Sequence, residues 1–215
     1  MRIFSGDGNL LVIYMAHIPA SSLAEQVDGR KFFAGDEEDI RQIFRESLSA
    51  VQYIHEIGFR HNDLKPANIM YSKVRGVVIV DFGLSGPLKS KWSGGGTAQY
   101  LPIEVLEEEE INDYGGAFDL WSLGVVFLFV GGKMALAESL WRQWKIADLH
   151  LRVMTGWEKQ KREVARSSMQ GWLNEIKTYR MTCRDEEDTC VKCIYAMLDP
   201  EPAKSPAIDE LIRSL

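Results

Sequence analysis

Residues 61–68 read His-Asn-Asp-Leu-Lys-Pro-Ala-Asn, and residues 81–83 read Asp-Phe-Gly. Residues 76–80, which come just before the second motif, are rich in β-branched side chains and begin with glycine. They predict a short buried strand that carries Asp81 at its end. Gly83 then permits a backbone turn that a Cβ atom would hinder. The two motifs therefore predict one site, built from a loop and from the end of a strand.

The residue types in these motifs suit phosphoryl transfer from ATP, in which a protein mainly positions the reactants and neutralises charge around a magnesium-bound triphosphate. In this interpretation Asp63 accepts or orients the proton of the attacking hydroxyl, and Lys65 lies beside the transferred group. Asn68 and Asp81 offer the oxygen ligands that Mg²⁺ prefers. We therefore predict Asp63 and Lys65 as catalytic residues and Asn68 and Asp81 as metal ligands.

Two further motifs follow in a fixed order. Residues 96–104 read Gly-Thr-Ala-Gln-Tyr-Leu-Pro-Ile-Glu, and residues 119–124 read Asp-Leu-Trp-Ser-Leu-Gly. In this order the whole set resembles the catalytic loop, the metal-binding loop and the activation segment of the eukaryotic protein kinase family. The Asp-Leu-Lys-Pro around Lys65 is similar to the serine/threonine kinases. The resemblance implies that ATP and Mg²⁺ are the cofactors and that a protein serine or threonine receives the phosphoryl group.

The resemblance also implies a fold. It predicts a mainly α chain within an α+β family fold: a kinase-like C-terminal lobe, or C-lobe, in which a helical bundle carries short β-hairpins at the catalytic loop. Residues 1–215 would form one domain. Its expected divisions are the last strand of the N-terminal lobe and the hinge (1–20), a long helix (36–58), the catalytic and metal loops (61–83), the activation segment (81–104) and a helical subdomain (117–215).

Further site residues follow from the resemblance alone. It assigns Thr97 to substrate positioning. The nucleotide would be bound by Ile13, Met15, Met70, Asn68 and Asp81. Six residues would hold the site without touching substrate: His61, Phe82, Gly83, Glu104, Asp119 and Lys204. Three of these, His61, Phe82 and Asp119, are expected in a buried stack. Lys204 falls roughly where the family has an arginine that meets Glu104, and a lysine cannot reproduce the bidentate contact.

Position 62 departs from the family pattern, because it is Asn where Arg is common. In kinases that are switched on by phosphorylation, that Arg binds a phosphate on the activation segment. Asn62 is uncharged, so we do not expect it to hold a phosphate on Ser90, Ser93 or Thr97.

The N-terminal half of a kinase site is the largest departure. A complete kinase covers the ATP phosphates with a glycine-rich loop and contacts them with a strand lysine. Residues 6–11 contain two glycines at the right interval but lack the third, and the first lysine is Lys31, in no strand-like context. The apolar run at 10–15 resembles the last strand before the hinge. We therefore expect essentially a C-lobe alone, weakly active or inactive, with a strand at 10–15 that lacks sheet neighbours and a hinge face that a partner could cover.

Two alternatives remain open. A non-catalytic, kinase-like interaction module is favoured by the missing N-terminal groups, whereas intact Asp63, Lys65, Asn68 and Asp81 favour an enzyme. A small-molecule phosphotransferase would use the same set of a catalytic Asp and a metal-binding Asn and Asp. The resemblance of residues 96–104 to an activation segment counts against it.

Composition narrows the class. The chain has 215 residues, 46% hydrophobic and 26% charged, which is typical of a globular protein with one core. Its net charge of −6 argues against nucleic acid or an anionic membrane as the main partner.

The longest apolar run, at 123–130, is too short to span a bilayer and predicts a buried central helix. No signal segment is evident, so an intracellular location, cytoplasmic or nuclear, is expected. Three cysteines, at 183, 190 and 193, predict neither a disulfide framework nor a zinc site.

Periodicity predicts the other helices. Apolar residues recur at three- and four-residue steps across residues 36–57, and Gly58 is a suitable stop. The last helices are predicted at 186–198 and 205–215, on either side of a proline-rich breaker. Four tryptophans in the region 137–179 are interpreted as core residues, although an exposed one would mark a partner site. The acidic run 107–110 is interpreted as a solvated helix end in preference to a patch that recognises a basic substrate.

Overall fold

The structure is a computed structural model that describes residues 2–6, 10–14, 17–90, 95–107, 116–139, 144–149, 155–201, 204 and 206–215. For residues 2–6, 10–14 and 106–107 it describes the backbone only.

Helices dominate the described part of the chain, so the fold is mainly α. The α-helices are α1 (Glu37–Glu56), α2 (Glu104–Glu107), α3 (Ala117–Val130), α4 (Ile146–Leu149), α5 (Gly156–Thr182), α6 (Thr189–Met197) and α7 (Ile208–Ser214). Single 3₁₀ turns lie at Leu23–Glu25, Pro66–Asn68, Ala98–Tyr100 and Ala137–Ser139.

The strands are short and all paired antiparallel. They are β1 (Arg2–Gly6), β2 (Leu10–Tyr14), β3 (Ser21–Ser22), β4 (Phe59–Arg60), β5 (Ile69–Ser72), β6 (Gly76–Ile79) and β7 (Gly86–Pro87). Within the described ranges they form three small sheets, in the orders β1-β2, β3-β5-β6 and β4-β7. The expectation that the strand at 10–15 lacks sheet neighbours is wrong, because β1 pairs with β2 along its whole length, from Gly6↔Leu10 to Arg2↔Tyr14.

Helix α1 forms as its periodicity predicted. The side chain of Asp36 accepts a hydrogen bond from the backbone N–H of Asp39, and Asp39 bonds back to the N–H of Asp36. This capping box satisfies two backbone donors at the helix start. Gly58 follows the helix with φ of +83°, a conformation that glycine adopts at little cost. The buried face of α1 packs on the core through Ile43, Phe44, Leu48, Val51 and Ile54.

Helix α3 is the centre of the core. Every residue from 118 to 130 is buried, so the helix contacts protein on all sides. Phe127 stacks on Phe44 of α1 with ring centroids 3.7 Å apart and ring planes 14° apart. Gly124 lets α6 approach closely, since a Cβ atom there would lie 2.9 Å from the side chain of Leu198. The predicted central helix is thus confirmed, and it is longer than the apolar run at 123–130.

The last two helices are shorter than the sequence pattern predicted. Helix α6 begins after Asp188, whose carboxylate accepts hydrogen bonds from the N–H groups of Cys190 and Val191. Residues 186–188 therefore precede the helix instead of forming its first turn. The tryptophans divide: Trp172 and Trp144 are buried, whereas Trp157 is 68% exposed. Trp141 lies outside the described residues.

No helix within the described ranges is long and apolar enough to cross a membrane.

Candidate active site

Two short sheets bring the sequence motifs together. Residues 61–68 connect β4 to β5, and residues 81–83 follow β6, which pairs with β5 from Ile69↔Ile79 to Ser72↔Gly76. The pairing continues past the strand ends, because the N–H of Val80 donates to the carbonyl of Asn68 at 3.0 Å. The end of β6 therefore lies against the end of the 61–68 loop. Asp81 directly follows Val80, so it lies at the same place.

Asp119, at the start of α3, fixes the first half of the loop. Its side chain is almost fully buried, and its two oxygens accept the backbone N–H groups of His61 at 2.8 Å and Asn62 at 2.9 Å. Nε2 of His55 lies 2.8 Å from Oδ2 of the same carboxylate. Asn62 takes φ of +66°, which is uncommon for a residue with a side chain. Three contacts thus hold a buried carboxylate and a left-handed loop residue together.

Asp119 therefore belongs to the support of the loop, but it reaches His61 through the main chain. The imidazole of His61 is fully buried, and its Nε2 lies 2.9 Å from the carbonyl oxygen of Val80. The ring packs edge-on against Phe82, with centroids 4.9 Å apart. Phe82 itself is 48% exposed. The predicted buried stack is therefore wrong for Phe82, because that ring is covered on the His61 side and open to solvent elsewhere.

The unusual backbone at the metal motif lies at Asp81, not at Gly83. Asp81 has φ of +63°, whereas no positive φ occurs at Gly83. A Cβ atom at position 83 would lie 3.2 Å from Oδ1 of Asp81. Glycine therefore avoids a tight contact with the carboxylate, while the turn itself is made by Asp81.

The centre of the site is a closed set of hydrogen bonds among Asp63, Lys65 and Thr97. Nζ of Lys65 donates to Oδ2 of Asp63 and to Oγ1 of Thr97, each at 2.8 Å. The Thr97 hydroxyl donates in turn to Oδ1 of Asp63 at 2.7 Å. Asp63 is buried, and the Lys65 side chain is 22% exposed. Asp63 and Lys65 are both charged, and hydrogen bonds between charged groups are among the stronger ones in proteins.

Asn68 links this set to the candidate metal ligands. Its Nδ2 donates to the Asp63 carbonyl at 2.8 Å and to Oδ2 of Asp63 at 3.1 Å. Because Nδ2 makes both bonds, Oδ1 of Asn68 is left as an acceptor on the other side of the amide. Asp81 is exposed, and its carboxylate accepts a long bond of 3.4 Å from the Gly83 N–H. An amide oxygen and an exposed carboxylate suit Mg²⁺, which keeps several waters or phosphate oxygens as its other ligands.

No cluster of three or more histidine, cysteine, aspartate or glutamate side chains that could hold a metal occurs among the residues that the structure describes. Asn68 and Asp81 together offer two side-chain oxygen donors, which suits a metal that takes its other ligands from a substrate and from water.

The predicted nucleotide floor is only partly described. Met70 is half-buried in β5, opposite Ser22 of β3 and Val78 of β6. Ile13 pairs with Ile3 in the N-terminal hairpin. Met15 lies outside the described residues. The nucleotide contacts of Ile13, Met15 and Met70 remain predictions.

Lys204 does not pair with Glu104. Its ammonium is exposed and lies 2.6 Å from Oε1 of Glu201, and this hydrogen bond raises the pKa of the lysine. Glu104 is buried at the start of α2. The expectation is wrong because Glu201 lies one turn earlier in the chain, where the N–H of Lys204 already bonds to its carbonyl at 2.8 Å.

Sequence reasoning missed two residues near the site. The first is His55, whose bond to Asp119 was not foreseen. Its ring fills the space beside Gly116, where a Cβ atom would lie 2.3 Å away. Arg60, which ends β4, was not considered, although it is 3% exposed and directly precedes the loop. The signal that could have drawn attention to Arg60 is a basic residue in a strand that leads into a buried histidine.

Comparison with known proteins identifies the family. A profile described as the protein kinase domain matches residues 2–214 of the chain. The chain belongs to the protein kinase family. The ordered motifs that carried the resemblance thus do mark family membership.

Individual relatives agree with the profile. The chain is 33% identical over 130 residues to a probable serine/threonine-protein kinase, fhkC, of Dictyostelium discoideum, which covers 58% of this chain and 21% of that protein. It is 35% identical over 111 residues to CBL-interacting protein kinase 32 of Oryza sativa subsp. japonica, covering 48% and 25%. CBL-interacting protein kinase 26 of the same plant is 26% identical over 207 residues, covering 93% and 36%. The matched part thus spans between a fifth and little more than a third of these relatives' length.

Proposed function

We propose that this chain is the C-lobe of a serine/threonine protein kinase, which binds magnesium-ATP and transfers its γ-phosphoryl group to a hydroxyl of a protein substrate. Asp63 and Lys65 are the catalytic residues of this proposal. The observation that carries it is the contact between the Asp63 carboxylate and a hydroxyl, that of Thr97, with Lys65 bonded to both. The supporting comparison is the match to kinase relatives over most of the chain.

The Asp63 carboxylate has room for a second hydroxyl. A carboxylate offers about four acceptor positions on its two oxygens. Oδ2 accepts from Lys65 and Asn68, while Oδ1 accepts from Thr97. One position on Oδ1 is thus left for the hydroxyl of a substrate, whose proton Asp63 would orient or accept. Lys65 would lie beside the transferred group and balance its charge.

Asn68 and Asp81 are the residues that would hold Mg²⁺. The metal, when bound with ATP, would neutralise charge on the triphosphate. The protein's own contribution is to fix Asn68 through its two bonds to Asp63, so that the catalytic carboxylate and the metal-binding amide move as one unit. Asp81 is held beside them by the backbone bond between Val80 and Asn68.

The proposal includes low activity for the isolated chain. Its sequence offers no third glycine in residues 6–11 and no lysine before Lys31, so the groups that cover the ATP phosphates in the family have no counterpart in it. Alignment of the reactants supplies much of the rate in such enzymes. We therefore expect a partner protein to cover the nucleotide on the hinge side.

A phosphotransfer assay with radiolabelled ATP and a serine/threonine-rich protein acceptor tests the proposal. The expected turnover lies well below the roughly 1 to 100 per second of typical kinases. Asp63→Asn should abolish the residual product. Asp209→Asn serves as the matched control, because Asp209 is an exposed carboxylate in α7, and this variant should behave like the parent.

Two outcomes would contradict the proposal. Equal product formation by the parent and by Asp63→Asn would remove the catalytic assignment. Failure of the chain to bind magnesium-ATP in isothermal titration calorimetry, together with no product after prolonged incubation, would favour a non-catalytic interaction module.

A further inference from the structure

The 3₁₀ turn at Ala98–Tyr100 directly follows Thr97, so the place of this turn decides where the Thr97 hydroxyl lies. Two backbone bonds close the turn, from the N–H of Tyr100 to the Thr97 carbonyl at 2.9 Å and from the N–H of Leu101 to the Ala98 carbonyl at 3.4 Å. A 3₁₀ turn has poorer hydrogen-bond geometry than an α-helix and is used only in short pieces. Its position must therefore be fixed by contacts with other parts of the chain.

The carbonyl of Gln99, in the middle of the turn, lacks a backbone donor among the residues that the structure describes. In a continuing 3₁₀ helix it would accept the N–H three residues later. Residue 102 is proline, which has no N–H. Because an unpaired backbone carbonyl inside a protein is unfavourable, a side chain has to supply the missing donor.

Trp172 of α5 supplies this donor. Its Nε1–H donates to the Gln99 carbonyl at 2.7 Å, although the two residues are 73 positions apart in the sequence. The indole is 1% exposed and lies on the buried face of α5 together with Met169 and Ile176. A large ring that is packed on all sides has little freedom to move, so the donor stays where α5 places it.

Other buried tryptophans of the chain do not make such a bond. Nε1 of Trp121 and Nε1 of Trp144 are both buried and have no hydrogen-bond partner within the described ranges. An indole N–H is a donor only, and it usually finds an acceptor when it is buried. The bond of Trp172 to the turn is therefore a specific contact and not a general result of burying an indole in this fold.

We propose that Trp172 is a positioning residue of the phosphotransfer site. Its indole N–H holds the Gln99 carbonyl, and through the turn it keeps the Thr97 hydroxyl on the Asp63 carboxylate. Because its bond is to the backbone of the turn, Trp172 acts on the reaction only through Thr97. Its effect on a reaction rate rests on the proposed function, whereas its effect on the place of the turn does not.

Hydrogen exchange followed by NMR tests the placement of the turn without any activity measurement. Trp172→Phe keeps an apolar ring and removes the donor. We expect the N–H groups of Tyr100 and Leu101 to exchange about two- to tenfold faster than in the parent, which is the factor that one hydrogen bond contributes, whereas exchange in α3 should change less. Trp144→Phe is the matched control. Trp144 is 9% exposed and its N–H is unpaired among the described residues, so this variant should leave the turn unchanged.

Two results of the exchange experiment would overturn the inference. The first is unchanged exchange at Tyr100 and Leu101 in Trp172→Phe. The second is equal acceleration in the turn and in α3, which would mean that Trp172 contributes only to general stability. If Trp172→Phe does not fold, incorporation of 3-benzothienylalanine at position 172 takes its place, because sulfur then replaces the N–H in a ring of nearly the same shape.

Single-turnover transfer from radiolabelled ATP tests the effect on the proposed reaction. Trp172→Phe should lower the rate about two- to tenfold and leave the affinity for magnesium-ATP unchanged, because the contacts of Asn68 and Asp81 are not affected. In a chain that already carries Thr97→Val, the same substitution should have little further effect, since residues that act through one contact are not additive.

The two backgrounds separate the possible outcomes. Equal losses of rate in the parent and in Thr97→Val would show that Trp172 acts independently of Thr97, which would overturn the positioning role. Absence of any transfer in the parent would count against the proposed function alone. The exchange rates of Tyr100 and Leu101 would then decide whether Trp172 fixes the turn.

Discussion

The hydroxyl of Thr97 donates a 2.7 Å hydrogen bond to Oδ1 of Asp63, although the two residues are 34 positions apart in the sequence. Lys65 bonds to both, so the end of the predicted activation segment is attached directly to the predicted catalytic carboxylate. The position of Thr97 therefore sets the position of the Asp63 carboxylate, and the reverse also holds.

This contact leads to a prediction on Thr97. Thr97→Ser keeps a hydroxyl and should leave the residual phosphotransfer within a few-fold of the parent. Thr97→Val has nearly the same shape but cannot donate to Asp63, and it should lower the rate about tenfold or more, since a hydrogen bond to a charged group contributes about 1.5 to 3 kcal/mol. The measurement is single-turnover transfer from radiolabelled ATP. Equal rates for the two variants would show that the hydroxyl has no role.

A second prediction separates the two aspartates. Asp81→Asn removes the charge but keeps a residue that tolerates the observed φ of +63°. It should weaken binding of ATP in the presence of Mg²⁺ and leave binding without Mg²⁺ little changed. Asp63→Asn should leave magnesium-ATP affinity near that of the parent and lower the rate. Isothermal titration calorimetry with and without Mg²⁺ measures both. Unchanged affinity in Asp81→Asn would refute the metal assignment.

A third prediction concerns the stack of Phe127 on Phe44. Both rings are fully buried, so Phe127→Ala should lower the free energy of unfolding by about 3 to 5 kcal/mol. Tyr53→Ala is the control: Tyr53 lies on the same helix as Phe44 but is 63% exposed, and its loss should change stability by about 0.5 kcal/mol or less. Urea denaturation followed by circular dichroism gives both values. Similar losses in the two variants would mean that the stack does not organise the core.

A fourth prediction concerns the three thiols. Cys183, Cys190 and Cys193 are free and buried, and burial raises the pKa of each, that of Cys190 to about 11. At pH 7.5 the folded chain should react slowly with a thiol reagent, and the chain unfolded in guanidinium should react rapidly at all three positions. One rapidly reacting thiol in the folded chain would contradict the buried arrangement.

The thiol of Cys190 makes the free energy of unfolding depend on pH. Because the pKa of Cys190 is raised in the folded chain from an ordinary value of 9.0 to about 11, the unfolded chain binds fewer protons between these values. The contribution of Cys190 to the free energy of unfolding is present below about pH 9 and is lost as the pH rises toward 11. Cys190→Ala should reduce this loss, as measured by denaturation at pH 8 and pH 10.5.

The sequence predicted those features whose signal is local. Helix α1 follows from its spacing and its capping aspartate, and the all-round apolar run predicted the buried α3. The motifs at 61–68, 81–83, 96–104 and 119–124, taken in order, carried the family resemblance, which the profile match shows to be correct. Lys204, Phe82 and Arg60 were mistaken or missed. Their environments depend on which distant segments pack beside them, and no spacing within the sequence encodes that.

By itself, then, the sequence determined the family, the helical class and the identity of the chemical groups, because motifs and periodicity act over a few turns of chain. Tertiary structure alone decided which groups meet. Asp119 supports a loop more than 50 residues earlier, as its bonds to His61 and Asn62 show. Among the described residues Arg60 has no carboxylate partner, and the β4-β7 pairing with Gly86 brings its side chain within hydrogen-bond distance of Ser90. The free energy of a buried charge depends on its surroundings, and these exist only once the chain has folded.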